Sequence, residues 1–424
     1  MGAATDCAVK DEGHDATEEN APREAGEQQK TEDLSLVEVR VVGKGGGEHE
    51  RQHNSDARAK NHEVLVARRA THHQGVLTVD GLGQCGGVIV VGRACGLLFG
   101  LFGLFGRTHP IILPCETEAV NRIAVLGSAN MDLVVRQSRL PRPGETIFGS
   151  GFDTVPGGKG LNQAVAAARL GGAVDFLGAL GADAYGTQLR ALLATEGIRS
   201  TGVRESSEST GTAHISVVDS GENSIVVVSG ANATVTDLDD TQRTTIADAA
   251  FLVMQCELPV AVLVQAIAVA REAGVFTVLT PAPVMPLPDG FLSSVDLVVP
   301  NQIEAEELTG ESDPVRAAES LSANKTWAIV TLGAEGSVIA YNGEVLGLAP
   351  ARPVQAVDTT AAGDTFVGAL VARLALKVGG SVPVSEDDMV EALRWATVAS
   401  SVAVTRVGAT TSMPSLAEVA AILA

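Results

Sequence analysis

The chain has 424 residues, 45% of them hydrophobic but only 3% aromatic, and a formal net charge of −21. That acidity argues against nucleic-acid partners, whose phosphates need clustered Lys and Arg. Cys7, Cys85, Cys95, Cys115 and Cys256 show no CxxC and no pairing rhythm, which points to a reducing, cytoplasmic setting rather than a disulfide scaffold.

Composition divides the chain before any motif does. Residues 1–118 form an extension whose first 80 residues are polar, mixed in charge and without apolar periodicity, the composition of a disordered segment. Residues 82–106 turn abruptly apolar and Gly-rich. A membrane-spanning helix needs about 20 apolar residues, but Arg93 and recurrent Gly interrupt this stretch, so a membrane anchor is not expected. Two readings of the extension stay open: a disordered leader, or a start codon placed too far upstream.

From residue 119 to 424 the text reads as one domain. Ile123–Leu126 is a short buried strand ending in Gly127, and Leu161–Leu170 is an Ala-rich helix stopped by Gly171 and Gly172. Val174–Gly178 reads as a further strand. Segments at 213–219 and 224–229 flank Asp219-Ser220-Gly221-Glu222, a hairpin signal. Buried-strand runs then follow at Ala249–Met254, Val275–Leu279, Leu297–Pro300 and Ala328–Leu332, separated by helical stretches such as Pro259–Ala273. Such alternation predicts a mostly parallel sheet with helices on both faces.

After residue 119, His214 is the single His and Cys256 the single Cys. Chemistry there must come from carboxylates, Lys, Asn and backbone amides. Asp358-Thr359-Thr360-Ala361-Ala362-Gly363-Asp364-Thr365-Phe366 precedes an apolar helix, so unpaired N–H groups and the helix dipole make an anion site with Asp364 at its lip. Read alone, Asp364 is more commonly a helix N-cap. Pro156-Gly157-Gly158-Lys159-Gly160-Leu161-Asn162 lets a ligand approach the main chain and adds two polar donors, although it is not a P-loop. Asn130 and Asp132 follow the first strand, where open α/β sheets bind ligands, and are otherwise turn formers. Asn301 and Glu304 follow a later strand and read equally as a helix cap with an acidic first turn.

Together these segments resemble the ribokinase family, the phosphofructokinase-B class of sugar kinases, over residues 120 to about 420. The glycine-rich segment at 157–162 and the DTTAAGDTF segment at 358–366 match its two signatures, and the SGANA, MQCELP and PNQIE texts are closer to its ribose-specific branch than to fructokinases or adenosine kinases. The resemblance implies a three-layer αβα sandwich with a mostly parallel sheet, plus a small β-sheet lid from strands near 133–156 and 212–229 that also pairs two subunits. The activity implied is ATP-dependent phosphorylation of D-ribose at its 5-hydroxyl. Alternatives are a kinase for deoxyribose or a related sugar or nucleoside, and a non-catalytic sugar sensor.

The same resemblance implies roles for matching residues. Asp364 would be the catalytic base and the amides of Ala361, Ala362 and Gly363 the anion hole. Asn130, Asp132, Gly158, Lys159, Asn162 and Glu257 would hold the sugar. Asn301, Thr331, Leu332, Gly333, Ala334, Glu335, Gly336, Gly363 and Thr397 would border the nucleotide. Glu304 would act on Mg²⁺ indirectly, and Asp358, Thr360, Ala403, Arg406, Gly408 and Ser412 would form a K⁺ loop, largely through backbone oxygens. Leu161, Thr280 and Thr397 depart from the family pattern, and Leu161 is expected to add bulk beside the sugar. Cys256, next to Glu257, reads as core filling.

Overall fold

The computed structural model describes residues 121–377 and 384–424 in full and, before residue 121, only the backbone of seven short strands. The chain divides into two units, Met1–Thr117 and Glu118–Ala424. In the first, Glu38–Val39 pairs antiparallel with Leu65–Val66. There too, Arg69–His73, Val76–Asp80, Val88–Val91, Leu97–Phe99 and Leu113–Pro114 make an antiparallel meander. The remaining expectations for residues 1–118 lie outside the described residues.

The second unit is built on a nine-stranded sheet. In chain order its strands are β1 (Arg122–Leu126), β4 (Ala173–Gly181), β5 (Arg199–Ser206), β8 (Phe251–Gln255), β9 (Phe276–Thr280), β10 (Leu297–Val298), β11 (Trp327–Thr331), β12 (Ser337–Tyr341) and β13 (Glu344–Ala349). Their spatial order is β5-β4-β1-β8-β9-β10-β11-β12-β13, parallel from β5 to β11 and antiparallel for the last two.

Strand period sorts the core into layers, because successive side chains face opposite sides of a sheet. Ile123 and Val125 of β1 enter one apolar cluster while Ala124 and Leu126 enter another. The first cluster is closed by α1 (Lys159–Arg169), α2 (Ala184–Thr195), α7 (Ala362–Lys377), α8 (Glu386–Ala403) and α9 (Leu416–Leu423). The opposite face is covered by α3 (Asp240–Ala247), α4 (Val260–Ala273), α5 (Gln302–Thr309) and α6 (Pro314–Leu321). This is the expected three-layer αβα sandwich. Strands buried on both faces explain why the sequence shows unbroken apolar runs here instead of alternation.

A separate four-stranded sheet joins β2 (Asn130–Gln137), β3 (Gly151–Gly157), β6 (Gly211–Val218) and β7 (Asn223–Val228) in the order β3-β2-β6-β7. The hairpin between β6 and β7 turns at the expected residues, with Gly221 at φ 87° accepting the left-handed conformation.

Two topological details place the site. The chain lays β4 and β5 on one side of β1 and then continues with β8 on the other, so the β1/β8 boundary is a switch point, where open α/β sheets bind ligands. In addition, α1 and α7 pack at a glycine: a Cβ on Gly368 would lie 2.5 Å from the Ala166 Cβ and 2.7 Å from the Gln163 carbonyl oxygen. This close approach brings the first turns of α1 and α7 side by side.

Candidate active site

The glycines at 157–160 earn their place sterically. Gly158 caps α1 at φ 91°, and a Cβ there would press on the Ala129 Cα and the Asn130 amide nitrogen at 3.1 and 3.0 Å. A Cβ on Gly160 would lie 2.6 Å from the Gly127 Cα, so α1 can start directly against the end of β1. The first-turn amides of α1 then find acceptors across the chain: Lys159 N–H donates to Glu257 Oε2 at 3.1 Å and Leu161 N–H to the Ser128 carbonyl at 2.9 Å. Ser128 Oγ also donates to Glu257 Oε2. A carboxylate at a helix N-terminus is favoured by the dipole, which helps to keep Glu257 in an otherwise buried setting.

Asp364 lies within the first turn of α7 and is 8% exposed. It is not an N-cap. Its Oδ2 accepts from Asn162 Nδ2 and its Oδ1 from Gln163 Nε2, both at 3.0 Å and both from α1. The residue before the helix, Ala361, adopts φ 57°. The Ala362 N–H donates to the Thr359 carbonyl at 3.2 Å. The amides that follow begin the α-helix, where the first N–H groups have no intrahelical acceptor.

Asn130 and Asp132 prove to be strand residues of β2 rather than turn formers. Asn130 is held by Asn232, whose Nδ2 donates to Asn130 Oδ1 at 2.8 Å and whose Oδ1 accepts from the Ala129 amide at 3.1 Å. Asp132 fills the space left by Gly157, where a Cβ would lie 2.2 Å from its Oδ2. Its carboxyl is pushed up to about 7, first by burial and then by Glu257 and Asp364. Glu304 is likewise raised, chiefly by burial. Burial alone would lower the Lys159 ammonium, yet Asp364, Glu257 and Glu304 outweigh it and raise its pKa. One lysine therefore serves three acidic groups.

A cleft of about 220 Å³ is lined by Lys159, Thr280, Asn301, Glu304, Gly363 and Asp364, among others. For Asn301 and Glu304 both sequence readings hold. They form a reciprocal capping box at 2.8 and 2.9 Å, and they also face this cleft. Beyond Thr331, Thr359, Ala362 and Gly363 it meets a second cleft of about 510 Å³, lined also by Gly333, Ala334, Gly336, Phe366 and Thr397. Of the expected nucleotide residues, Leu332 instead packs half-buried against the α5–α6 cluster, and Glu335 is exposed outside the lining.

The expected cation loop is drawn together by Asp358. Its Oδ1 accepts from the Thr360 amide at 2.9 Å and hydroxyl at 2.6 Å, and its Oδ2 from the Gly408 amide at 2.9 Å. Burial opposes the charge, but these donors outweigh it and lower the pKa. Ala403 is fully buried at the end of α8, the Ser412 hydroxyl donates to the Ala409 carbonyl at 2.8 Å, and Arg406 pairs with Glu418.

Two further residues singled out in the sequence are both buried. Leu161 is fully buried in the sheet-facing core and does not line the cleft, so it adds no bulk there. Cys256 is core filling, with its thiol pushed up to about 12 by burial, then by Glu304 and Glu257. Sequence reasoning missed Gln163, Gln255, Asn232 and Ser128. A polar residue ending a fully buried strand, as Gln255 does in Phe251–Gln255, was the available signal.

Residues 120–416 match the family model described as pfkB family carbohydrate kinase. The chain is 39% identical over 311 residues to a ribokinase of Haemophilus influenzae, covering 70% of this chain and 96% of the relative. A Schizosaccharomyces pombe ribokinase is 38% identical with the same coverage. Among solved structures, Arabidopsis thaliana ribokinase complexed with ribose and ATP superposes with a TM-score of 0.66 at 32% identity, covering 72% of this chain and 99% of that one. Identity at this level, spread over nearly the full length of the relatives, leaves one conclusion: the chain belongs to the pfkB family of carbohydrate kinases.

Proposed function

We propose that the protein transfers the γ-phosphoryl group of ATP to the 5-hydroxyl of D-ribose, giving D-ribose 5-phosphate and ADP. The observation that carries this reading is the placement of Asp364, buried on the smaller cleft at the start of α7, next to Gly363, which lines both clefts. There it can accept the sugar hydroxyl proton while first-turn amides of α7, with Gly363 among them, hold the charge on the transferring group. Lys159 lines the smaller cleft, and with Asn130, Asp132, Asn162 and Glu257 it would hold the ring hydroxyls. The larger cleft has the size and mixed lining suited to a nucleotide. Ribose as substrate follows the relatives, which are named as ribokinases.

The surplus of carboxylates around one lysine fits a divalent cation, which Mg²⁺ typically meets through one or two carboxylates and substrate phosphates. Glu304 would help to position it indirectly, and the ion would supply neutralisation of the phosphate charge. An alkali cation such as K⁺ suits the all-oxygen loop at Asp358 and residues 403–412, where it would order the neighbouring anion hole. We also assign the lid as a subunit interface.

The test is ADP release by the purified protein against ribose, 2-deoxyribose, fructose and adenosine, with K⁺ or Na⁺ at fixed ionic strength. Ribose is expected to give the highest kcat/KM, and K⁺ to exceed Na⁺. Asp364→Asn should lose about 10²–10⁴-fold in kcat with little change in sugar KM. A variant with wild-type turnover would remove Asp364 as the base, and a preference for adenosine would overturn the substrate.

A further inference from the structure

We infer that Gln163, held in orientation by Gln255, is a positioning residue for Asp364. The inference rests on the reading of Asp364 as the base and adds how that base is aimed. The argument begins with what a carboxylate can do: ionised, it only accepts hydrogen bonds. The group that Gln163 turns toward Asp364 Oδ1, at 3.0 Å, must therefore be its NH₂. Its carbonyl oxygen then points the other way, where Gln255 Nε2 donates to it at 2.7 Å. Gln163 Nε2 has a second acceptor in Thr280 Oγ1 at 3.2 Å. Both donors and the acceptor of Gln163 are thus engaged, and only one amide orientation satisfies them.

That orientation has a consequence one residue further out. Because Gln255 must offer its NH₂, its oxygen faces the other way and finds no partner among the described residues. The oxygen is tucked against Gly127, where a Cβ would lie 2.1 Å from it. Gln163 and Gln255 are 1% and 0% exposed, so bulk solvent does not reach this oxygen. A buried amide oxygen left bare is unfavourable. A pair of hydrophobic residues would avoid it, and a pair serving packing alone has no reason to keep it. The arrangement is intelligible if what is being held is the direction of the Gln163 NH₂. With Asn162 on Oδ2, Gln163 on Oδ1 fixes the Asp364 carboxylate against rotation about its side-chain torsions. A base held in one rotamer presents its free lone pairs to the substrate hydroxyl with no reorientation during transfer.

The test compares Gln163→Met, Gln255→Met and the double variant, since Met keeps the volume but removes the amide. Each is assayed for kcat and sugar KM and for thermal midpoint. Gln163→Met should lower kcat by about tenfold or more, the value of one hydrogen bond to a charged group, with sugar KM within about twofold. Gln255→Met should lower kcat in the same direction by less, while its thermal midpoint changes little, because the bare Gln255 oxygen is removed as the Gln163 oxygen loses its donor. The double variant should be no slower than Gln163→Met, because Gln255 acts only through Gln163. Multiplicative losses in the double variant, or unchanged kcat in a folded Gln163→Met, would overturn the inference. Should Gln163→Met not fold, a kcat in Gln255→Met equal to wild type would overturn it equally. Failure of the underlying kinase reading looks different: the wild-type protein itself would release no ADP with ribose.

Discussion

The fold opposes a charge on Asp132, and that gives this residue a signature in stability. The unfolded chain ionises it near its ordinary value of 3.8, whereas the folded protein holds its proton to about 7. Between these values the folded state binds the extra proton, so stability from this group is full below about pH 4 and is lost as pH rises through about 7. Asp132→Asn removes the dependence. The variant should melt with the wild type near pH 4 and progressively above it toward pH 8, as followed by thermal melts without ligands. A constant difference across that range would show that Asp132 is not held protonated. The same scale shows what a sequence can and cannot announce. Lys159, Glu257 and Asp364 adjoin small-residue turns or strand ends, and a charged residue at a backbone that must be bare leaves a mark. Gln163 and Asn232 leave none. Each is one polar residue in a buried segment, and its partner lies 201 or 102 positions away, in Asp364 and Asn130.

Among elements, the α1–α7 contact decides whether the site exists at all. Gly368 sits in the middle of α7, where alanine is intrinsically favoured over glycine by about 1 kcal/mol. Against that gain, a Cβ would meet the Gln163 carbonyl oxygen at 2.7 Å and the Ala167 amide nitrogen at 2.9 Å, backbone atoms that cannot swing aside. Overpacking of this kind costs about 1–3 kcal/mol, so the clash wins. Gly368→Ala should lower stability by up to roughly 2 kcal/mol in urea melts. It should also reduce kcat, because the helices that carry Asn162, Gln163 and Asp364 are pushed apart. A stabilised, fully active variant would show that the two helices have slack. The elements themselves were largely legible, since strands buried on both faces must be continuous apolar runs. Their ends were less so: β10 is only Leu297–Val298, two residues short of the expected Pro300, and Pro offers no N–H to extend a ladder.

For the molecule as a whole, the lid leaves an edge open. On β7, Ile225, Val226, Val227 and Val228 are 54, 64, 51 and 48% exposed, an apolar edge strand of the sort that soluble proteins usually cover or charge. With the proposed dimer covering it, Val227→Lys should shift the protein toward monomer in sedimentation or light scattering while leaving the melting of the main sheet nearly unchanged. A wild-type chain that is monomeric at assay concentrations would sink the dimer. The switch-point topology has a consequence for how the enzyme comes into being. Asn162 and Asp364, which hydrogen-bond to each other, are 202 residues apart in sequence. Contacts of such long range close late, after the intervening strands have taken their places. During synthesis the ribosome has released Asn162 and Gln163 long before it makes Asp364, so no partial chain can turn over substrate. On refolding, catalytic activity should return only with the final phase, which makes phosphoryl transfer a direct clock for completion of this fold.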